Sequence, residues 1–251
     1  MRTVIEELAR AAIGDDRDTL SQCRKLTAWM CGEFEWSVTD YQRRTVDEVL
    51  ERRSGNCAEQ ARLLESLLTA VGVETRTVAE INIQAPWIER GQFAEKMVAE
   101  GGPSCSVFGY MHNDHRWLEV KDAASGSWFP ADATLGICGV HEWLMARMGF
   151  ESRPEAGKGM IVPIMAFVVD GSDQVLEDRT DYYVIDLFKG YVEETVKTDA
   201  LIDEWSRLVR VLAQGGKRAF EGDESFFRYQ HQLQQAADVY RAIELQYRQA
   251  Q

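Results

Sequence analysis

Apolar residues recur at helical spacing in two N-terminal stretches. Val4, Ile5, Leu8, Ala11 and Ala12 predict a helix over 2–13, and Leu20, Cys23, Leu26, Trp29 and Met30 predict another over 17–34. A short segment with the sequence FEWSVTDYQ follows. Residues 45–53 then read as a short helix that Ser54-Gly55 breaks. The most regular stripe is Cys57, Ala58, Ala61, Leu64, Leu67, Leu68 and Val71, and Gly72 stands where a helix C-terminus is expected. Residues 73–83 read as a strand.

Residues 84–111 are irregular, rich in Gly and Ser, with one charged helical patch. A connection of that length between strands predicts a functional loop or lid. Residues 115–121 and 127–131 predict two strands around the turn Asp122–Gly126. A helix is expected near 140–148, strands over 160–169 and 182–187, and helices over 198–214 and 224–249. The pattern predicts an α+β fold: N-terminal helices, a helix packed on an antiparallel sheet, and C-terminal helices. With no repeat, low-complexity tract or clear linker, 1–251 is expected to be one domain. Its softest internal boundary lies over 152–158, and 160–251 forms a strand and helical extension.

Charge narrows the function. Twenty-eight basic against 41 acidic residues give a net charge of −13, which argues against nucleic acid and anionic membranes as partners. No apolar run approaches the length of a membrane span, and the N-terminus, with Glu6, Glu7, Asp15 and Asp16, reads as an amphipathic helix and not as a secretion signal. The five cysteines, Cys23, Cys31, Cys57, Cys105 and Cys138, are therefore expected to be reduced thiols in a cytoplasmic protein. Nothing in the sequence sets an oligomeric state.

The chemistry concentrates at Ser54-Gly55-Asn56-Cys57-Ala58-Glu59. Asn56 is a favoured N-cap, and Glu59, three residues on, can bond back to it. Cys57 becomes the first helical residue. The partial positive charge of a helix start favours a thiolate there, and the Cys57 N–H is free to donate to an oxyanion. The alternative is a small buried hydrophobe atop an apolar stripe.

The second concentration is His115-Arg-Trp-Leu-Glu119 with Trp128-Phe-Pro-Ala-Asp132. A hairpin closed with Lys121 opposite Gly126 places Glu119 opposite Trp128, Trp117 opposite Pro130, and His115 opposite Asp132. Opposed residues share a face, so the carboxylate can orient the imidazole while the other ring nitrogen meets the sulfur. Trp117, on that face, would shield the pair from water. Asp132 could instead begin a turn at Asp-Ala-Thr-Leu-Gly.

Three blocks in this order resemble the transglutaminase-like superfamily, whose core is a papain-like cysteine-enzyme fold. They are Arg53-Ser-Gly-Asn-Cys57 running on to Val71-Gly-Val-Glu-Thr-Arg76, His115-Arg-Trp-Leu-Glu119, and Trp128-Phe-Pro-Ala-Asp132-Ala-Thr134. They lie within residues 45–136. The usual proline before Arg76 is replaced by Glu74-Thr75. The resemblance implies Cys57 as nucleophile, His115 as general base and acid, and Asp132 as orienter, with no cofactor and no catalytic metal. It implies acyl transfer from an amide, peptide or ester through a thioester, to water (a protease or amidase) or to an amine. The partner would be a peptide, a protein or a small amide. Trp36 and Tyr41 are candidates for the second oxyanion donor; with Trp117 and Asn56 they make the expected substrate-side set.

Other readings stay open. His112, His115, Cys138 and His141 could hold zinc, or the fold could serve as a binding scaffold without activity. His112 is a rival base, and Cys105 and Cys138 are rival nucleophiles. Arg76 could bind a substrate carboxylate or make a salt bridge. The aromatics Phe226, Phe227, Tyr229, Tyr240 and Tyr247 are expected to pack against the core.

Overall fold

A computed structural model describes residues 4–37, 44–84, 112–151, 161–196, 199–220 and 229–251. The expected lid over 84–111, the boundary at 152–158, and Tyr41, Cys105, Phe226 and Phe227 lie outside these, save Gln84 at the end of a strand. The chain forms two compact units, residues 1–78 with 115–143, and residues 79–114 with 144–251.

The first unit begins with α1 (Val4–Ile13) and α2 (Thr19–Glu33), the latter capped by Asp18, whose side chain accepts the Ser21 N–H. Strand β1 (Glu35–Trp36) pairs in parallel with β2 (Ser54–Gly55), Glu35 opposite Ser54 and Trp36 opposite Gly55. Between them lies α3 (Val46–Arg52), closed by a capping box of Thr45 and Glu48. Arg53 ends α3 in the left-handed region at φ 52° and turns the chain into β2.

Helix α4 (Cys57–Ala70) follows at once. Leu63, Leu64, Leu67 and Leu68 are fully buried on it, in one core with Leu26 and Met30 of α2 and with Leu118, Val120, Phe129 and Ala131 of the sheet. Burying a leucine stabilises by roughly 1.5–3 kcal/mol, so four on one helix anchor α4 to the strands. The sheet of this unit runs in the order β6–β5–β4–β3, with β3 Thr75–Gln84, β4 His112–Lys121, β5 Trp128–Asp132 and β6 Ile137–Cys138. Helix α5 spans Val140–Arg147.

The hairpin register differs from the expected one by two residues. Lys121 pairs with Trp128, Glu119 with Pro130 and Leu118 with Ala131. Gly126 adopts φ 72°, the Gly126 N–H donates to the Asp122 carbonyl, and the Asp122 carboxylate accepts the Ser125 N–H. The glycine therefore belongs to the turn rather than to a ladder pair. A slip of two leaves every side chain on its expected face, because the strand period is two.

In the second unit β3 continues from Ala79, in the order β3–β7–β8, with β7 Ile161–Val169 and β8 Val175–Asp178 antiparallel. The strand expected over 182–187 is instead a π-helical turn, Asp181–Asp186, continuing into α6 (Leu187–Val192). A short apolar run fits a buried helix as well as a buried strand. Here Tyr183, Val184, Phe188 and Val192 are all fully buried. Helices α7 (Asp199–Phe220) and α8 (Gln230–Ala250) complete the unit. Tyr240 and Tyr247 pack against Phe150, as expected of core aromatics, with Phe188 stacked on Tyr240 at 5.4 Å. No helix among the described residues is long and apolar enough to cross a membrane.

Candidate active site

Local sequence places Cys57 at the head of α4. Asn56 Oδ1 accepts the Glu59 N–H at 2.9 Å, and Glu59 Oε2 accepts the Asn56 N–H at 3.0 Å, the reciprocal cap expected from the spacing. Asn56 thus serves as a cap, its side-chain oxygen bound to backbone. The turn before it is held from the other side, since the Gln60 amide donates to the Gly55 carbonyl at 3.1 Å and the Ser37 N–H donates to the same oxygen at 3.2 Å. Gly55 has a steric reason to be glycine, because a Cβ there would lie 3.1 Å from both Cβ and Oε2 of Glu59. As the first helical residue, Cys57 keeps an N–H that the helix itself does not use.

His115 meets Asp132 despite the shifted register. The two are diagonal neighbours on one face, still within reach of long side chains. His115 Nε2 and Asp132 Oδ2 are 2.6 Å apart. The other carboxylate oxygen accepts the Thr134 N–H at 2.9 Å and the Leu135 N–H at 3.3 Å. Asp132 therefore fills both expected roles, one oxygen starting the turn and the other holding the ring. Cys57 also acts on the His115 ring, by hydrogen bonding and by charge.

The electrostatics follow from this placement. Burial alone would push the His115 pKa down, but the Asp132 carboxylate, and after it Cys57, outweigh burial and raise it from 6.5 to about 10. His115 is then an imidazolium at neutral pH, between two acceptors.

The remaining predicted residues separate cleanly. Trp36, opposite Gly55 and so near the start of the helix that carries Cys57, is 52% exposed. Trp117 corrects the expectation of a substrate contact, because it is 1% exposed and packs on Trp143 with ring centroids 5.6 Å apart. It supports the face that carries His115 and offers no surface to a ligand. Arg76 donates to the fully buried Glu119 at 2.5 Å and lies 4.3 Å over the Trp128 ring, which settles it as a salt-bridge residue. Cys138 is buried, pairs with the Cys23 thiol and points its sulfur at the Leu20 carbonyl. The Cys138 thiol and burial together push the Cys23 thiol well up. His141 is exposed, and His115 Nε2, another member of the alternative zinc set, is bonded to Asp132. Among the described residues no group of three His, Cys, Asp or Glu could hold a metal. The side chain of His112 lies outside the description. Sequence reasoning missed Arg44, whose Nη1 donates to Glu59 Oε1 at 3.0 Å; no motif or period marks it.

The profile of the transglutaminase-like superfamily matches residues 6–133, just over half of the chain. The chain belongs to the transglutaminase-like superfamily. Membership places it, at family level, among cysteine-based enzymes, and its matched span contains Cys57, His115 and Asp132. Among curated proteins none matches the chain. One similar solved structure, a Cytophaga hutchinsonii protein provisionally described as a cysteine protease, shares 17% identity. The match covers 52% of this chain and 36% of that one, with a TM-score of 0.35. The chain thus corresponds to about a third of that protein's length, and a likeness of this size carries no argument about activity.

Proposed function

We propose that this member of the superfamily is an acyl-transfer enzyme that cleaves an amide or peptide bond through a thioester on Cys57. The observation that supports this reading is the bond of His115 Nε2 to Asp132, with Cys57 acting on the same ring. In the proposed sequence the sulfur of Cys57, its proton held on His115 Nδ1, attacks the carbonyl carbon of the substrate. The carbonyl oxygen becomes an oxyanion at the head of α4, where the Cys57 N–H donates to it. The exposed indole of Trp36 is the candidate for a second donor. The C–N bond breaks as Nδ1 returns its proton to the leaving amine. Water then enters and gives a proton to the now neutral His115, its oxygen bonds to the acyl carbon, and the C–S bond breaks to release the acid and restore the thiolate beside the protonated ring. Asp132 stays ionised throughout and keeps the ring in the required tautomer. An amine entering in place of water would give a transferase with the same residues. Release of the amine product leaves the acyl group exposed to whichever acceptor is more abundant, and water is the proposed acceptor.

The test is intact-mass measurement after exposure to a library of peptides and amides, with Cys57→Ala alongside. The proposal requires an acyl adduct on the wild-type chain that is absent from the variant, decaying to free acid whether or not an amine is added. Product formation undiminished in Cys57→Ala would refute it. A product found only with amine would replace hydrolysis by transfer.

A further inference from the structure

Helix α4 buries a glutamine among its apolar residues. Gln60 follows Cys57 by three positions, stands beside the buried Ala61, Leu63 and Leu64, and is 1% exposed. Its Nε2 donates to the Gly55 carbonyl at 3.1 Å and reaches the Glu35 carbonyl at 3.5 Å. Its Oε1 is buried with no hydrogen-bond partner among the described residues. A buried polar atom without a partner costs stability, so an apolar side chain of the same length would suit this core better than the amide. Such a change would not strand the Gly55 carbonyl, because the Ser37 N–H also donates to it, at 3.2 Å.

The amide serves the placement of β1. Both residues of that strand are exposed, so hydrogen bonds contribute more to its position than burial does. The Glu35 N–H donates to the Arg53 carbonyl at 2.9 Å, the Ser37 N–H donates to the Gly55 carbonyl, and Gln60 reaches across from α4. Trp36 lies between Glu35 and Ser37, opposite Gly55.

We propose that Gln60 is a positioning residue: its amide fixes β1, and with it Trp36, against the turn that presents Cys57. The inference rests on the reading of Cys57 as the nucleophile and of Trp36 as the second oxyanion donor. Gln60 touches no reacting atom and acts through Trp36. Because the amide serves placement at the expense of stability, replacing it should separate the two, which a packing residue would not do.

The test uses p-nitrophenyl acetate, whose acetyl group passes to the Cys57 sulfur as p-nitrophenolate leaves. The burst of p-nitrophenolate over a range of ester concentrations gives the acylation rate constant and the half-saturating concentration separately, and thermal unfolding gives stability. Gln60→Met should unfold at the wild-type temperature or above it, and half-saturation should stay unchanged. Its acylation rate constant should fall by about five- to tenfold, as expected of a misplaced contact. Trp36→Phe, which removes the indole N–H at an exposed position, should lower the rate constant at least as far. The double variant should be no slower than Trp36→Phe alone, because residues that act as one unit do not add. A Gln60→Met chain that unfolds at lower temperature, or does not fold, makes Gln60 a structural brace and overturns the proposal. So do an unchanged rate constant in either single variant and losses that multiply in the double. A burst of the same size in Cys57→Ala as in wild type overturns the nucleophile reading instead, so the two failures are told apart.

Discussion

Replacing Asp132 by Asn changes one charge at a site where almost nothing else needs to move. The side chain is 1% exposed, and Oδ1 can keep its bonds to the Thr134 and Leu135 N–H groups. What changes is the group facing His115 Nε2, from an acceptor to an amide N–H. His115 has its pKa raised from 6.5 to about 10, and its side chain is 12% exposed. At about 1.4 kcal/mol per pH unit the whole displacement is on the order of 5 kcal/mol. Asp132 precedes Cys57 among the groups that raise it, so at least half, on the order of 2–3 kcal/mol, is expected to go with the carboxylate. The sign follows from linkage. A histidine whose pKa is raised on folding stabilises the folded chain fully below its unfolded pKa, here 6.5, and loses that contribution as pH rises through about 10. Denaturant unfolding of wild type and Asp132→Asn across this window should give a stability gap that is wide near pH 6.5 and narrows by 2–3 kcal/mol towards pH 10 (an order-of-magnitude figure). Turnover should fall about 10⁴-fold, because an amide facing Nε2 favours the wrong tautomer. A gap that stays constant with pH would refute the reasoning, since it would mean that His115 carries no extra proton in the folded state.

Other positions separate the supports of the site from its working parts. Trp117→Ala should cost about 3–5 kcal/mol of stability by denaturant unfolding, whereas Trp36→Ala should leave unfolding unchanged and lower kcat/KM by about tenfold through loss of an oxyanion or substrate contact. Arg76→Ala should destabilise by about 3–5 kcal/mol, because it removes a charge partner of the fully buried Glu119, and should leave KM unaltered; a raised KM with unchanged stability would return Arg76 to the substrate. Gly55→Ala should cost about 1–3 kcal/mol, measured by thermal unfolding, as the new Cβ presses on Glu59.

Much of the site is legible in the sequence because it is local. A cap, its reciprocal glutamate and a cysteine between them follow from three-residue spacing, and the structure contains both hydrogen bonds of the cap. The face shared by His115 and Asp132 follows from strand period, which is why it survives a register error of two. The register itself depends on whether Gly126 sits in the turn at positive φ or in the ladder opposite Lys121, which hydrophobic pattern does not decide. The two-residue pairing of β1 with β2 is too short to leave a period, yet it places Trp36 opposite Gly55. The apolar run at 182–187 carries no alternation, so its helical geometry is decided by the groups it packs among, Phe188 and Trp205 included. Arg44 is legible only in three dimensions, because its partner lies 15 residues away.

The proposed chemistry requires His115 to be a cation at neutral pH, held by Asp132 and Cys57. That charge can be read directly from the ring nitrogen resonances of protein labelled with ¹⁵N at histidine, with His115 assigned by its loss in His115→Gln. The account predicts that both ring nitrogens of His115 stay protonated through neutral pH and give up a proton only near pH 10. A ring already neutral at pH 7 would contradict it.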